Sequence, residues 1–565
     1  MLLAVAFVAV AGRLTWLQVV APEEYGRLGE AQRLRSIPLP GERGSIFDRN
    51  GHDLALSVRQ HTVWADPRLV TDPMLEAAAL APLLGVPEDE LRRRLTQDGA
   101  FVYLARQVPD DVAERVAALE LDGVELLEES KRFTPAGDLA ASVIGAVDVD
   151  NNGLSGLELL FDETLSGTAG EMLLELGADG STIAAGEREV RPAARGSDLV
   201  LTLDRGLQHH AERLLVEQVA RTGADGALAL VMRPGTGEIL AMANVRAGDK
   251  GQPPRPARQN MAVNTVFEPG SVNKVITLAG ALEEGLYRPD DVLEVPDRLK
   301  VSVHTFSDHD RHPTVPMTVN DILTTSSNIG TIMIAQALGA ERVDGYLRRF
   351  GFGSPTGLGF PGESDGLVLP LDEWTGTSIG SMPIGQGVAV TALQMLLAYN
   401  AVANGGVFVA PKMVNAVVDA DGSERRTPPP ERRRVISSSS ADAMNRMLVG
   451  VVEEGTGTGA RIDGYTVAGK TGTARKPAKN FRGYESGAYV STFAGYVPAE
   501  NPELSVIVVL DEPRNGYYGG LVSAPVFAEL AQYALRVLRV PPAPVDEPPV
   551  EPPPSTLDPS VRPLD

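Results

Sequence analysis

The sequence predicts an α+β protein of two folded parts behind an apolar N-terminal segment. Three observations carry this. A chain of 565 residues exceeds the size at which one hydrophobic core stops growing, so at least two cores are expected. Strand-like alternation stands at both ends of the C-terminal part and encloses a long helical middle, the pattern of a sheet assembled from both ends of a domain. Residues 1–12, from Met1 to Gly12, form an unbroken apolar run.

After Arg13 the apolar character resumes with Leu14, Trp16, Leu17, Val19 and Val20. A membrane span needs about 20 apolar residues, so either Arg13 snorkels from near one end or the chain starts partway through the span. The second reading is favoured. No basic stretch precedes the run, so a cleaved signal peptide would lack its usual n-region; a buried soluble helix is the remaining alternative. Residues 1–21 are expected as the anchor.

Residues 22–195 mix strands and helices. From Gln32 to Pro40 and from Glu42 to Gly51 short apolar pieces alternate with turn residues, and Asn50-Gly51 is a hairpin signal. Helical spacing runs from Thr71 to Leu95 and from Asp110 to Glu120. Asn151-Asn152-Gly153, Gly167 and Gly170 punctuate a loop-rich stretch. The domain boundary is set near Arg195. Residues 196–540 then open with a strand at Asp198–Leu203 and a helix from about Asp204 to Arg221. A strand pair follows over Gly226–Ala243, with strands near Ser491–Val497 and Leu504–Leu510 before a last helix. Residues 541–565 are proline-rich, too poor in apolar side chains to pack, and expected to be disordered.

Composition excludes some functions. A net charge of −23 repels phosphate backbones, so nucleic acid is a poor partner. The chain has no cysteine, which removes disulfides, thiolate catalysis and thiolate metal sites. No cofactor is expected.

The chemistry-bearing constellation starts from scarcity, since only eight of the 51 basic residues are lysine. Ser271-Val272-Asn273-Lys274 is the chain's one Ser-x-x-Lys. Alone it is weak, since about 0.4 such matches arise by chance and a capping serine beside a solvated lysine explains it as well. Its context is stronger. Pro269-Gly270 breaks the chain before Ser271, and Val275 to Glu284 continues as an amphipathic helix with Lys274 on the same face. A hydroxyl needs a base to become a nucleophile, and the lysine pKa near 10.4 must fall by about three units for it to serve. Burial, the helix N-terminus and a second cation all act in that direction.

Ser326-Ser327-Asn328 offers a hydroxyl to relay a proton beside an amide that can hold a lysine and a substrate carbonyl; the alternative is a helix cap. Lys470-Thr471-Gly472-Thr473 reads as an edge strand with its glycine where a ligand backbone passes closely. There Lys470 supplies the second cation, and Thr471 and Thr473 grip a carboxylate. The three motifs in this order are the set shared by class A β-lactamases and penicillin-binding proteins.

Arg43 to Gly51, Gly153 to Glu158, Phe267 to Ser271 and Pro383-Ile384-Gly385-Gln386-Gly387 further resemble class B penicillin-binding proteins, from about residue 13 to 535. The resemblance implies an N-terminal anchor, a mixed α/β pedestal and a transpeptidase domain of the serine β-lactamase-like fold, outside the cytoplasmic membrane. It leans toward the septal, FtsI-like branch over the side-wall branch. It implies Ser271 as acylated nucleophile, Lys274 as its base, and Ser326, Asn328 and Lys470 in proton relay. Substrate binding falls to Thr471, Gly472 and Thr473, with the N–H groups of Ser271 and Thr473 as oxyanion hole. The implied partners are peptidoglycan stem peptides ending in D-Ala-D-Ala, β-lactams, and a membrane glycosyltransferase of the cell-wall machinery.

The rival functions are a β-lactamase or D,D-carboxypeptidase, which would send the acyl group to water, and a β-lactam sensor or scaffold without turnover. No Glu-x-x-Leu-Asn stretch supplies a hydrolytic base; Glu363 is nearest by spacing and reads as a turn residue. His304, His309 and His312, with Asp308 and Asp310, fit no standard zinc spacing and read as a polar loop near the site. Gly455-Thr456-Gly457-Thr458-Gly459 lacks the lysine of a phosphate loop and reads as a flexible hinge or loop.

Overall fold

A computed structural model describes residues 1–16, 34–39, 41–175, 188–249, 251–478 and 483–542. Its N-terminal helix, Leu2–Thr15, has 14 residues and so rises about 21 Å, short of a ~30 Å hydrocarbon core. Among the described residues no helix is long and apolar enough to cross a membrane. The rest of the expected 1–21 anchor and residues 543–565 of the expected tail lie outside them.

In the first folded part the Asn50-Gly51 hairpin forms as expected. Gly51 takes φ +83°, and Asp48 N–H donates to His52 O at 2.9 Å. The turn joins strand Ile46–Phe47 to Asp53–Ala65, which pairs antiparallel with Val102–Val108 and Val124–Phe133. The expected Thr71–Leu95 helix is two helices, Pro73–Leu84 and Glu88–Leu95. Gly85 at φ +65° ends the first, and Pro87, which lacks an N–H, caps the second. Their apolar faces cover one side of the sheet through Leu80, Leu91, Val63 and Leu104.

Strand Asp198–Leu201 ties the two parts together. It runs parallel to Ile46–Phe47 and antiparallel to Val414–Val418, so one sheet holds strands from both sides of Arg195. Helix Arg205–Thr222 follows, with Asp204 accepting from Leu207 N–H and Gly223 closing it in the left-handed conformation.

The main sheet has six strands. In order they are Arg255–Pro256, Ile239–Arg246, Gly226–Met232, Leu504–Asp511, Tyr484–Val497 and Ala468–Pro477. It draws on both ends of the domain, as expected. Gly226–Met232 is buried at every position because both faces are covered. Helices Arg205–Thr222 and Ala524–Val537 pack on one; Lys274–Glu283, Ala392–Ala403 and Ser438–Glu453 pack on the other. The helix expected to be amphipathic over Val275 to Glu284 is instead buried from Lys274 to Ala281, because it lies inside the domain, and its sequence is apolar nearly all round.

Candidate active site

The buried helix begins with a 3₁₀ turn, Gly270–Asn273. At three residues per turn, side chains three apart eclipse, so Ser271 and Lys274 align more closely than in an α-helix. Gly270 takes φ +57°, and its N–H donates to Gly385 O at 3.1 Å. A Cβ on Gly385 would stand 2.2 Å from Gly270 O, so the Gly385-Gln386-Gly387 turn braces the serine turn. Tyr399 Oη donates to Val272 O at 3.0 Å and Asn273 Nδ2 to Met382 O at 2.8 Å, holding it from below.

Lys274 is fully buried. Its Nζ donates to Ser326 O at 2.5 Å, Asn328 Oδ1 at 2.8 Å and Ser326 Oγ at 3.3 Å, and not to Ser271. Burial pushes its pKa down to about 7, against the opposing charge of Asp308. Near neutral pH about half of such amines are neutral, as a base requires. Ser326 reaches this amine because it sits at φ +64°. That conformation is rare for a residue with a Cβ and costs about 1–3 kcal/mol. It lies between helices Val319–Thr324 and Asn328–Leu338.

Lys470 lies on the edge strand Ala468–Pro477, as expected. It too is fully buried, with Nζ donating to Thr471 O at 3.2 Å, Thr471 Oγ1 at 3.3 Å and Thr456 Oγ1 at 3.4 Å. Its pKa falls well below the usual lysine value, through burial first and the Lys274 charge second. Two ammonium groups cannot share one dry pocket cheaply. Thr473 Oγ1 accepts from Gly519 N–H at 3.0 Å, which leaves its own proton free to donate. Gly472 differs from expectation: a Cβ there would meet Pro269 O at 3.0 Å and Val272 Cγ1 at 3.1 Å. The close approach it permits is therefore to the serine turn.

The three motifs thus converge on one pocket, although they span residues 271 to 473. Two contributors were not legible in the sequence. Thr456 belongs to the Gly455–Gly459 run expected as a flexible hinge or loop. It is a packed loop: a Cβ on Gly455 would stand 2.4 Å from Thr324 O, and one on Gly459 2.6 Å from Gly520 O. Thr456 Oγ1 also lies 2.7 Å from Thr471 Oγ1. Asp308 is the second; it lies in the loop expected near the site, but no spacing gave it this role, and its side chain, 7% exposed, accepts from Ser327 Oγ at 2.8 Å.

The three histidines go to separate partners. The His304 ring meets Phe306 edge-on at 4.6 Å, His309 Nε2 lies 3.2 Å from Tyr518 Oη, and His312 Nε2 lies 3.2 Å from Asp308 Oδ2. Glu363 accepts from Thr356 N–H at 2.9 Å and Gly359 N–H at 3.2 Å, holding the turn it belongs to.

Residues 227–532 match the Penicillin binding protein transpeptidase domain, and residues 38–201 the Penicillin-binding Protein dimerisation domain. Penicillin-binding protein PbpB of Mycobacterium tuberculosis is 36% identical over 90% of this chain and 80% of its own length. Peptidoglycan D,D-transpeptidase FtsI of Escherichia coli is 34% identical over 96% of this chain and 91% of its own. A peptidoglycan synthetase structure from Bifidobacterium adolescentis matches with TM-score 0.74 and 29% identity, covering 91% of this chain and 99% of that one. Penicillin binding protein 3 from M. tuberculosis, complexed with aztreonam, matches with TM-score 0.70 and 33% identity, covering 90% and 98%.

Proposed function

The chain belongs to the penicillin-binding protein transpeptidase family, and from that membership we propose how its residues cross-link cell-wall peptides. The observation that carries the reading is the fully buried Lys274 amine, with its pKa pushed down to about 7, one 3₁₀ turn from Ser271. Ser271 Oγ attacks the carbonyl carbon between the two D-Ala residues of a stem peptide while Lys274 Nζ takes the hydroxyl proton. The developing oxyanion is held by the N–H groups of Ser271 and Thr473; one such donor is worth about 10² to 10³ in rate. The C–N bond breaks, and the departing D-Ala amine takes the proton from Lys274 through Ser326 Oγ. An acceptor amine then attacks the ester, its proton passes to Lys274, and Ser271 Oγ leaves with a proton.

The substrate carboxylate would lie on Thr471, Thr473 and Lys470. Arrival of that carboxylate favours the ammonium form of Lys470, so its charge is restored where it is used. Asn328 would hold Lys274 and the donor carbonyl. Gly472 keeps the edge strand against the nucleophile.

Residues 22–195 would form the pedestal, 196–540 the transpeptidase domain and 541–565 the tail. The matches over 38–201 and 227–532 support this division. The likeness to FtsI supports the septal branch. The apolar run supports a single-pass anchor with the catalytic domain outside the cytoplasmic membrane, where a membrane glycosyltransferase supplies the glycan strands to be joined.

Incubation with a donor peptide ending in D-Ala-D-Ala and an amine acceptor should yield cross-linked product that rises with acceptor concentration. Hydrolysed peptide alone, insensitive to acceptor, would contradict transfer and make a carboxypeptidase of it. Deleting residues 1–20 should release a soluble protein that still binds penicillin, since every motif lies beyond residue 270; a product that stays with membranes would move the anchoring elsewhere.

A further inference from the structure

We infer that Asp308 is a positioning residue for the reaction: it fixes the Ser326-Ser327-Asn328 turn that holds the Lys274 amine and keeps a carboxylate near that amine. The inference rests on the acyl-transfer reading above, with Lys274 as the base. Asp308 directly follows the hairpin strand His304–Ser307, and its carboxylate is almost fully buried. Oδ1 accepts from the backbone N–H of Asn328 at 2.5 Å and of Ile329 at 3.0 Å. Oδ2 accepts from Ser327 Oγ at 2.8 Å and faces His312 Nε2 at 3.2 Å. The neighbouring Ser307 carbonyl takes Asn328 Nδ2 at 3.1 Å. One side chain therefore gathers the first two N–H groups of helix Asn328–Leu338 and the central serine of the motif. A carboxylate at that helix end is stabilised by the unsatisfied N–H groups and the dipole.

What this cluster holds in place is the acceptor set of Lys274. Ser326 at φ +64° and Asn328 flank Ser327, so a shift of Asp308 moves both. Charge adds a second effect. The charges facing Lys274 are Asp308, which raises its proton affinity against burial, and Lys470, across the pocket. His312 touches Asp308 from the solvent side, with Asp297 near it. Asp308 thus stabilises the ammonium that forms when Lys274 takes the Ser271 proton. With it gone, burial acts unopposed and the amine holds a proton only at lower pH.

The test is the acylation rate of the full chain by a fluorescent penicillin from pH 5 to 9, with the adduct located by peptide mass. Asp308→Asn keeps an oxygen toward the two N–H groups and removes the charge. Its acid limb should move down by about one pH unit, and its plateau should fall several-fold. Asp308→Ala should lose about 100-fold in plateau rate through the loosened turn. If it does not fold, Asp308→Asn still decides. His312→Gln should leave the limb in place. A purely structural role would lower the plateau and leave the Asp308→Asn limb where the wild type has it, which overturns the inference; so would a limb that vanishes in His312→Gln. A wild type without an adduct on Ser271 would overturn the parent reading instead.

Discussion

Lys274→Arg is expected to lose covalent labelling by a fluorescent penicillin as completely as Lys274→Ala, a fall of about 10³-fold. The argument is one of proton affinity. The pocket brings the lysine amine to about 7, which corresponds to about 5 kcal/mol of lost preference for the charged form. A guanidinium keeps its proton far above neutral pH, so the same burial cannot turn it into a base. It is also planar and larger, and the site offers three acceptors shaped to one amine, Ser326 O, Asn328 Oδ1 and Ser326 Oγ. In the wild type the rate should fall about tenfold per pH unit below about 7 as the amine takes up its proton. Robust labelling of the arginine variant would remove Lys274 from the general-base role.

A chromogenic β-lactam should give a burst of about one equivalent and then a nearly flat line. Hydrolysis of the acyl-enzyme needs a base aimed at water, a role held in class A β-lactamases by a glutamate. Glu363, nearest by spacing, is committed to Thr356 and Gly359 in a turn of its own. An acceptor amine, intrinsically a better nucleophile than water, is then the natural second substrate. The measurement is a rapid-quench time course at several enzyme concentrations; steady multiple turnover would make hydrolysis the function.

Local patterns were readable and tertiary ones were not. The Ser271 and Lys274 pair is three residues apart, so one turn of helix decides its geometry, and only the tighter 3₁₀ winding was unforeseen. Lys470 stood out through the rarity of lysine, and its strand through the apolar residues around it. Asp308 reaches the Ser326-Ser327-Asn328 turn through a hairpin, across about twenty residues, so no spacing rule points to it. Its histidine neighbours read as a polar loop near the site, which it is, but nothing in that loop named Asp308 as the residue that holds the turn. The glycines around Thr456 resembled a hinge because their real cause, contact with Thr324 O and Gly520 O, lies in distant parts of the chain. Strand Asp198–Leu201 was visible as a strand. Its pairing with both Ile46–Phe47 and Val414–Val418 depends on partners that periodicity does not name. The apolar run at the N-terminus predicted a span; the described helix there has 14 residues, and among the described residues no helix is long and apolar enough to cross a membrane.

The central claim is that Ser271 carries the acyl group, and it is tested most directly by digesting the penicillin-treated protein and locating the adduct by mass. The account predicts one equivalent of penicilloyl group on the peptide containing Ser271. It predicts none in Ser271→Ala, whose fold should persist because a capping hydroxyl is worth only about 1 kcal/mol. An adduct on any other residue, or undiminished labelling of a folded Ser271→Ala protein, would contradict it.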